Sequence, residues 1–93
     1  MKRAAMPQSL VQLHDMPLRV PCTVQRVQAP EHAPEWGRWL AEIGFIAGEQ
    51  VSVLARGMPG GDPLMVRAGA SSFALRRAEA ACIWVHTCEE AKP

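Results

Sequence analysis

The sequence lacks any long apolar run, any CxxC pair and any marked excess of one charge. A membrane-spanning helix needs about 20 mainly apolar residues, so direct membrane insertion is not expected. The N-terminal residues MKRAAMP carry positive charge but lack the apolar core of a signal peptide. The three cysteines do not read as a disulfide framework, because their number is odd and no secretion signal accompanies them. We therefore expect a cytoplasmic protein with reduced thiols.

The charge balance also excludes a class of partner. Ten Lys and Arg residues face nine Asp and Glu residues, for a net charge of +1. A dedicated nucleic-acid binder carries a clear basic excess, so no nucleic-acid partner is expected. With 93 residues and 48% hydrophobic content, the chain should form one small domain. We predict a loose tail at residues 1–8, the folded domain at 9–88 and a C-terminal tail at 89–93.

One stretch, residues 36–54, organises the chain. Its apolar residues follow helical spacing: Trp36, Trp39, Leu40 and Ile43. This spacing predicts a helix over residues 35–43 with Trp39 in the core. Gly44 follows where a left-handed cap is favourable, and Phe45 should fold back onto the helix end. Gly48 then begins a turn into a strand over residues 50–56, where Val51 and Val53 alternate with polar neighbours.

Four further short alternating segments predict strands: one at residues 22–27 and others around Leu64, Phe73 and Ile83. Residues 9–13 read equally as a helical turn or an extended lead-in, and residues 76–81 as one helical turn. The predicted fold class is therefore mainly β: a small five-stranded barrel with one α-helix between its first and second strands.

Catalytic patterns are missing. The chain holds no Gly-x-Ser-x-Gly motif. Its carboxylates are scattered along the sequence, one at each boundary between predicted helices and strands. The glycine-rich segment 57–62 lacks the Gly-Lys-Ser/Thr end of a phosphate-binding loop and reads as a hairpin loop. We expect no enzyme.

A metal site has weak support. His86 and Cys88 would project from the same face of the last strand as a two-ligand arm, but zinc usually takes about four ligands. The remaining candidate ligands are His14, Asp15, Cys22 and His32. A simpler interpretation makes Cys22 a buried apolar residue and the two other histidines ordinary loop residues. No cofactor is required, and weak binding of Zn²⁺ or Fe²⁺ stays open.

Tryptophan dominates the aromatic content, since there are three tryptophans, two phenylalanines and no tyrosine. Trp36 begins the helix and Trp84 lies on the non-core face of the last strand, so either is a candidate protein contact. The alternative for Trp84 is cover by the N-terminal segment. Arg67, Arg76 and Arg77 form a candidate basic patch for a partner, or else a charged edge that discourages aggregation.

Three sequence blocks carry a family resemblance. Residues 38–51, RWLAEIGFIAGEQV, resemble the R-x-L-x-E-[LM]-G-[FM]-x-x-G-x-x-[VF] signature of the ferrous iron transport protein A (FeoA) family. Residues 61–64, GDPL, resemble its G-D-P-[LI], and residues 73–80, FALRRAEA, its [IL]-A-L-R-x-x-[ED]-A. The IWV of the last strand matches its I-x-V. The sequence departs from the signature at Ala47, where proline is common, and at Trp36 and Trp39. His86 and Cys88 are not part of the family pattern, so the resemblance assigns them no role.

The resemblance implies an SH3-like barrel that acts as a small cytoplasmic accessory protein of ferrous iron uptake. It implies a partner, the ferrous iron membrane transporter FeoB, whose cytoplasmic GTPase it would bind and modulate. The alternative is a metal-binding or metal-sensing SH3-like domain, as at the C-terminus of iron-dependent repressors; a homodimer also stays open. Grooves that bind PxxP peptides use tyrosine and tryptophan, so a chain without tyrosine is not expected to bind them.

Overall fold

A computed structural model describes residues 10–58 and 60–87 of the chain. The described part contains six strands and two α-helices. In chain order they are β1 (Leu10–Gln12), β2 (Cys22–Val27), α1 (Glu35–Glu42), β3 (Gln50–Arg56), β4 (Leu64–Ala68), β5 (Ser71–Leu75), α2 (Arg77–Ala80) and β6 (Ile83–Thr87). A 3₁₀ turn, Leu13–Asp15, follows β1. The predicted tails and Cys88 lie outside these residues, so the domain limits stay a prediction.

The strands form one antiparallel sheet in the order β1-β6-β2-β3-β4-β5. The mainly β prediction is confirmed, but the five-strand count is wrong, and the described strands form an open sheet with β1 and β5 at its edges rather than a closed barrel. The extra strand is β1, whose three residues pair with β6 from Leu10 opposite His86 to Gln12 opposite Trp84. Because β1 precedes β2, helix α1 lies between the second and third strands.

The core lies on one face of the sheet. Alternate residues of the strands are buried there: Cys22, Val24, Val51, Val53, Leu64, Val66, Leu75, Ile83 and Val85. Leu13, Leu40 and Phe45 pack onto them from outside the sheet and are fully buried. Register shifts after Val24 and after Val53 mark bulges, which bend the strands around this small core.

The corner between α1 and β3 follows the predicted capping chemistry. Gly44 has φ +119°, which an L side chain rarely adopts, and the Phe45 N–H donates to the Leu40 carbonyl at 2.9 Å. Gly48 has φ +93° and its N–H donates to the Val24 carbonyl at 2.9 Å. The helix end is thus tied to β2, which fixes where the side chains of α1 point.

Residues 13–20, here called the crossing segment, run across β3. Leu18 forms a parallel bridge with Val53, and the Arg19 N–H donates to the Val53 carbonyl at 2.7 Å. Arg56 holds the same segment, because its guanidinium donates to the carbonyls of His14, at 3.0 Å, and Met16. The segment is therefore anchored by backbone and side-chain hydrogen bonds as well as by buried Leu13.

Candidate functional site

A groove of 700 Å³ opens between α1, the loop before β4 and the junction of β5 with α2. We call it the tryptophan groove. Seven residues line it: Trp36, Trp39, Asp62, Pro63, Ala74, Arg76 and Glu79. The groove therefore combines two indole rings and a proline with one cation and two carboxylates.

Helix α1 supplies the aromatic wall. Leu40 takes the fully buried position of this helix, so the neighbouring Trp39 falls at the margin of the buried face and is 38% exposed. The expectation that Trp39 belongs to the core is wrong for this reason. Trp36 is half-buried against the core, and His32 meets it edge-on at 6.1 Å between ring centroids. The groove wall is thus an aromatic surface that the protein's own core covers only in part.

The carboxylates of the groove are already engaged by backbone donors. Asp62 Oδ1 accepts the Arg77 N–H at 2.8 Å, and Glu79 Oε1 accepts the Arg76 N–H at 2.8 Å. Both acidic side chains therefore satisfy N–H groups at the start of α2, where unpaired donors would otherwise remain. Within the described residues the Arg76 guanidinium has no ion pair or hydrogen bond. The charge that the groove leaves available is positive.

The other predicted contact residues lie elsewhere. Trp84 lies on β6 across from Arg26, whose guanidinium stands over the indole at 5.5 Å from the ring centroid. Arg67 lies on β4 opposite Ser52, donates to the Gly69 carbonyl at 3.4 Å, and lines a separate depression of 490 Å³. The structure brings Trp36 and Arg76 together, and Arg77 joins them only through its backbone.

The candidate metal ligands are dispersed. His14 Nδ1 is 3.3 Å from Asp15 Oδ1, His32 lies against Trp36, and the Cys22 thiol is buried with the Val51 carbonyl at 3.4 Å. His86 lies on β6 opposite Thr23 and Leu10. Across residues 10–58 and 60–87, no three His, Cys, Asp or Glu side chains are grouped so as to hold a metal ion. The candidate ligands therefore stay a prediction, and the His86–Cys88 arm extends beyond the described residues at Cys88.

A buried thiol lies behind the groove. Cys82 is 5% exposed, and its thiol donates to the Ala78 carbonyl at 3.6 Å. Burial raises the pKa of the Cys82 thiol, and the negative charge of Glu79 raises it further. Cys82 therefore behaves as a small apolar residue and not as a reactive thiolate.

Five groove residues were not predicted as site residues: Trp39, Asp62, Pro63, Ala74 and Glu79. Each belongs to one of the three resembling blocks at 38–51, 61–64 and 73–80, and each block supplies one wall of the groove. The signal was therefore in the sequence, although only the fold shows that the three blocks meet.

Fold and groove together define a small SH3-like domain with a partly exposed aromatic groove. The FeoA domain model matches residues 11–87, so the chain belongs to the FeoA family. This family is linked to ferrous iron transport and is not a known family of enzymes. No curated protein sequence matches the chain.

Several solved structures share the fold. FeoA of Stenotrophomonas maltophilia is 40% identical over 78% of this chain and 86% of its own, with a TM-score of 0.71. That protein was crystallised with zinc and is described as a prokaryotic SH3 domain protein and candidate ferrous iron transport activating factor. FeoA of Chlorobium tepidum is 28% identical over 88% and 74%, with a TM-score of 0.71.

The same fold occurs in repressors. A manganese-dependent transcriptional repressor is 24% identical over 88% of this chain and 44% of its own, with a TM-score of 0.73. This likeness shows the fold alone. Separately, no helix among the described residues has the length and apolarity to span a membrane.

Proposed function

We propose that this protein is a cytoplasmic accessory of ferrous iron uptake that binds the GTPase-linked transporter FeoB and modulates it. Membership of the FeoA family supports the link to iron transport. The observation that carries the binding role is the tryptophan groove, in which Trp36 and Trp39 stand beside the Arg76 guanidinium, which no described residue pairs.

Tryptophan and arginine are the residues most enriched at the energetic centres of protein interfaces. Trp39 is more than a third exposed and lies beside Trp36 and Pro63 in one groove, and such a contiguous apolar surface is typical of interaction sites. A groove that offers aromatic faces and a guanidinium fits a protein segment with apolar side chains and a carboxylate.

The test is an NMR titration of ¹⁵N-labelled protein with the soluble GTPase domain of the cognate transporter, first with GDP and then with a GTP analogue. We expect shifts in the tryptophan groove that differ between the nucleotides, together with a changed rate of GTP hydrolysis. Absence of binding to the GTPase domain and to the transporter's other cytoplasmic segments would refute the proposal.

Two variants make the titration specific. Trp39→Ala should weaken binding by roughly thirtyfold or more, because truncating an interface hot spot costs about 2 kcal/mol or more. Arg38→Gln is the matched control, since Arg38 is exposed on the same helix and does not line the groove. Equal losses in the two variants would place the contact elsewhere, with Trp84, Arg67 and Arg77 as the next positions to test.

A second function is favoured by one finding, the zinc in the S. maltophilia relative. We propose as the alternative a metal-sensing SH3-like domain that uses His86 and Cys88, completed by a second copy in a homodimer. Calorimetric titration with Zn²⁺ and Fe²⁺, joined to sedimentation, distinguishes the two functions. Stoichiometric binding that is lost in His86→Ala and accompanies dimerisation supports the sensor, while weak binding without dimerisation leaves the transporter accessory.

A further inference from the structure

The edge strand β5 lacks the features that usually protect a sheet edge. Its five residues, Ser71–Leu75, include no charge and no proline, and its register against β4 continues without a bulge. Natural edge strands are commonly short, charged, proline-containing or bulged, because exposed backbone groups pair readily with another strand. The opposite edge, β1, has only three residues. β5 is therefore the edge of this sheet that can accept a further strand.

The hairpin loop shows which backbone groups point outward. Gly69 and Ala70 alone connect Ala68 to Ser71, and Gly69 has φ +61°. In such a two-residue hairpin the flanking pair is hydrogen bonded, and the hydrogen-bonded pairs then alternate along the ladder. The N–H and C=O groups of Ser72 and Ala74 consequently point away from β4. Within the described chain nothing outside the sheet hydrogen bonds to either residue.

The free edge and the tryptophan groove are continuous. Ala74 belongs to β5 and also lines the groove with Trp39 and Arg76. On the core-facing side Phe73 is only half-buried, with its ring 6.0 Å from that of Phe45. A strand added to β5 would therefore cover Phe73 on one face and reach the groove on the other.

The positive charge around β5 indicates which kind of partner strand would bind there. Arg67 stands opposite Ser72 on the neighbouring strand, and Arg76 and Arg77 follow β5 directly. None of their guanidinium groups is paired with a carboxylate in the described chain. An antiparallel second copy would add its own Arg76 and Arg77 to this basic edge and would offer no carboxylate from its β5, so it lacks the charge complementarity of an acidic segment.

We propose that β5 accepts an extended, acidic segment of a partner protein as an additional strand, with Ser72 and Ala74 supplying the backbone hydrogen bonds. This inference rests on the proposed function for the identity of the partner, but its chemistry concerns this chain alone. Backbone pairing gives affinity in such complexes, and the flanking side chains give specificity.

The test uses two probes against the full ¹⁵N-labelled chain. One is a set of overlapping peptides from the cytoplasmic part of the transporter. The other is a model peptide of alternating valine and glutamate, compared with a version in which lysine replaces glutamate. We expect slowed exchange of the Ser72 and Ala74 amide protons with an acidic peptide and no binding of the lysine version.

Ser72→Pro removes one outward N–H and leaves the hydrogen bonds to β4 intact. An edge strand tolerates proline at a position such as this, where the N–H points away from the sheet. Affinity should fall by roughly threefold to tenfold, the value of one backbone hydrogen bond. Ser72→Ala keeps the N–H and is the control. Amide spectra that match the wild type away from β5 show that the proline variant is folded. If it is not, the exchange measurement on the wild type decides.

The outcomes separate the two proposals. If the model peptide but no transporter peptide slows amide exchange at Ser72 and Ala74, β5 accepts an added strand and the transporter is not the partner. Binding of transporter peptides with no protection in β5 overturns the strand acceptor and keeps the proposed function. Binding of neither peptide overturns the strand acceptor as well. Concentration-dependent dimerisation that Ser72→Pro abolishes would overturn it in favour of a second copy.

Discussion

Arg56 and Arg76 stand at corresponding places, the first as the last residue of β3 and the second directly after β5, yet the protein uses them differently. Arg56 donates to two carbonyls of the crossing segment. Arg76 forms hydrogen bonds through its backbone N–H and carbonyl, and its guanidinium lies in the tryptophan groove with no partner among the described residues. In the first region, the arginine side chain forms hydrogen bonds within the protein. The second keeps a cation and two indole rings available to another molecule.

The largest effect should come from the buried anchor of the crossing segment. Leu13→Ala is expected to lower the free energy of unfolding by about 2–5 kcal/mol, because Leu13 is fully buried and its truncation leaves a cavity. Leu18→Ala in the same segment is the control, since Leu18 is 45% exposed and should cost less than about 1 kcal/mol. Urea denaturation measures both, and similar values would mean that the segment is held by its hydrogen bonds alone.

The next effect compares the two arginines directly. Arg56→Gln should destabilise the fold by about 1.5–3 kcal/mol, because charged hydrogen bonds to two backbone carbonyls are lost. Arg76→Gln should leave the stability within about 0.5 kcal/mol while reducing partner affinity. Thermal unfolding and the peptide titration together test the pair. A destabilisation by Arg76→Gln as large as that by Arg56→Gln would contradict the division of roles.

The smallest effect concerns Cys82, behind the groove. Because burial and Glu79 raise the pKa of this thiol in the folded state, the unfolded chain releases its proton first as pH increases. The contribution to stability is complete below the ordinary thiol pKa and declines as pH rises above it. Denaturation at a series of alkaline pH values should show a steeper loss for the wild type than for Cys82→Ala. Parallel curves would mean that Cys82 titrates normally in the fold.

Local chemistry explains what the sequence predicted well. The bounds of β2 and β3 match the alternating segments, and α1 ends one residue before the predicted limit because Ile43 already leaves helical geometry at φ −90° and ψ 1°. Gly44 adopts the left-handed φ that the capping pattern requires. These features depend on neighbours within a few residues, so spacing alone was sufficient.

Long-range pairing explains what the sequence missed. Residues 10–12 are too few to show a period, and they become a strand only because β6, more than 70 positions away, supplies the partner groups. Trp39 has the right spacing for the core, yet Leu40 takes the fully buried position, and Trp39 lines a groove with Pro63 instead. The groove itself joins three separate blocks, which no single window of sequence displays.

The pairing of β1 with β6 also determines where this domain can be joined to the rest of a longer polypeptide. Because Leu10 stands opposite His86, the chain enters and leaves the described fold side by side, at strands that contribute no residue to the tryptophan groove. Connections to a longer polypeptide would therefore leave from neighbouring strands and would not cover the tryptophan groove. The manganese-dependent repressor shares this fold over 44% of its own length.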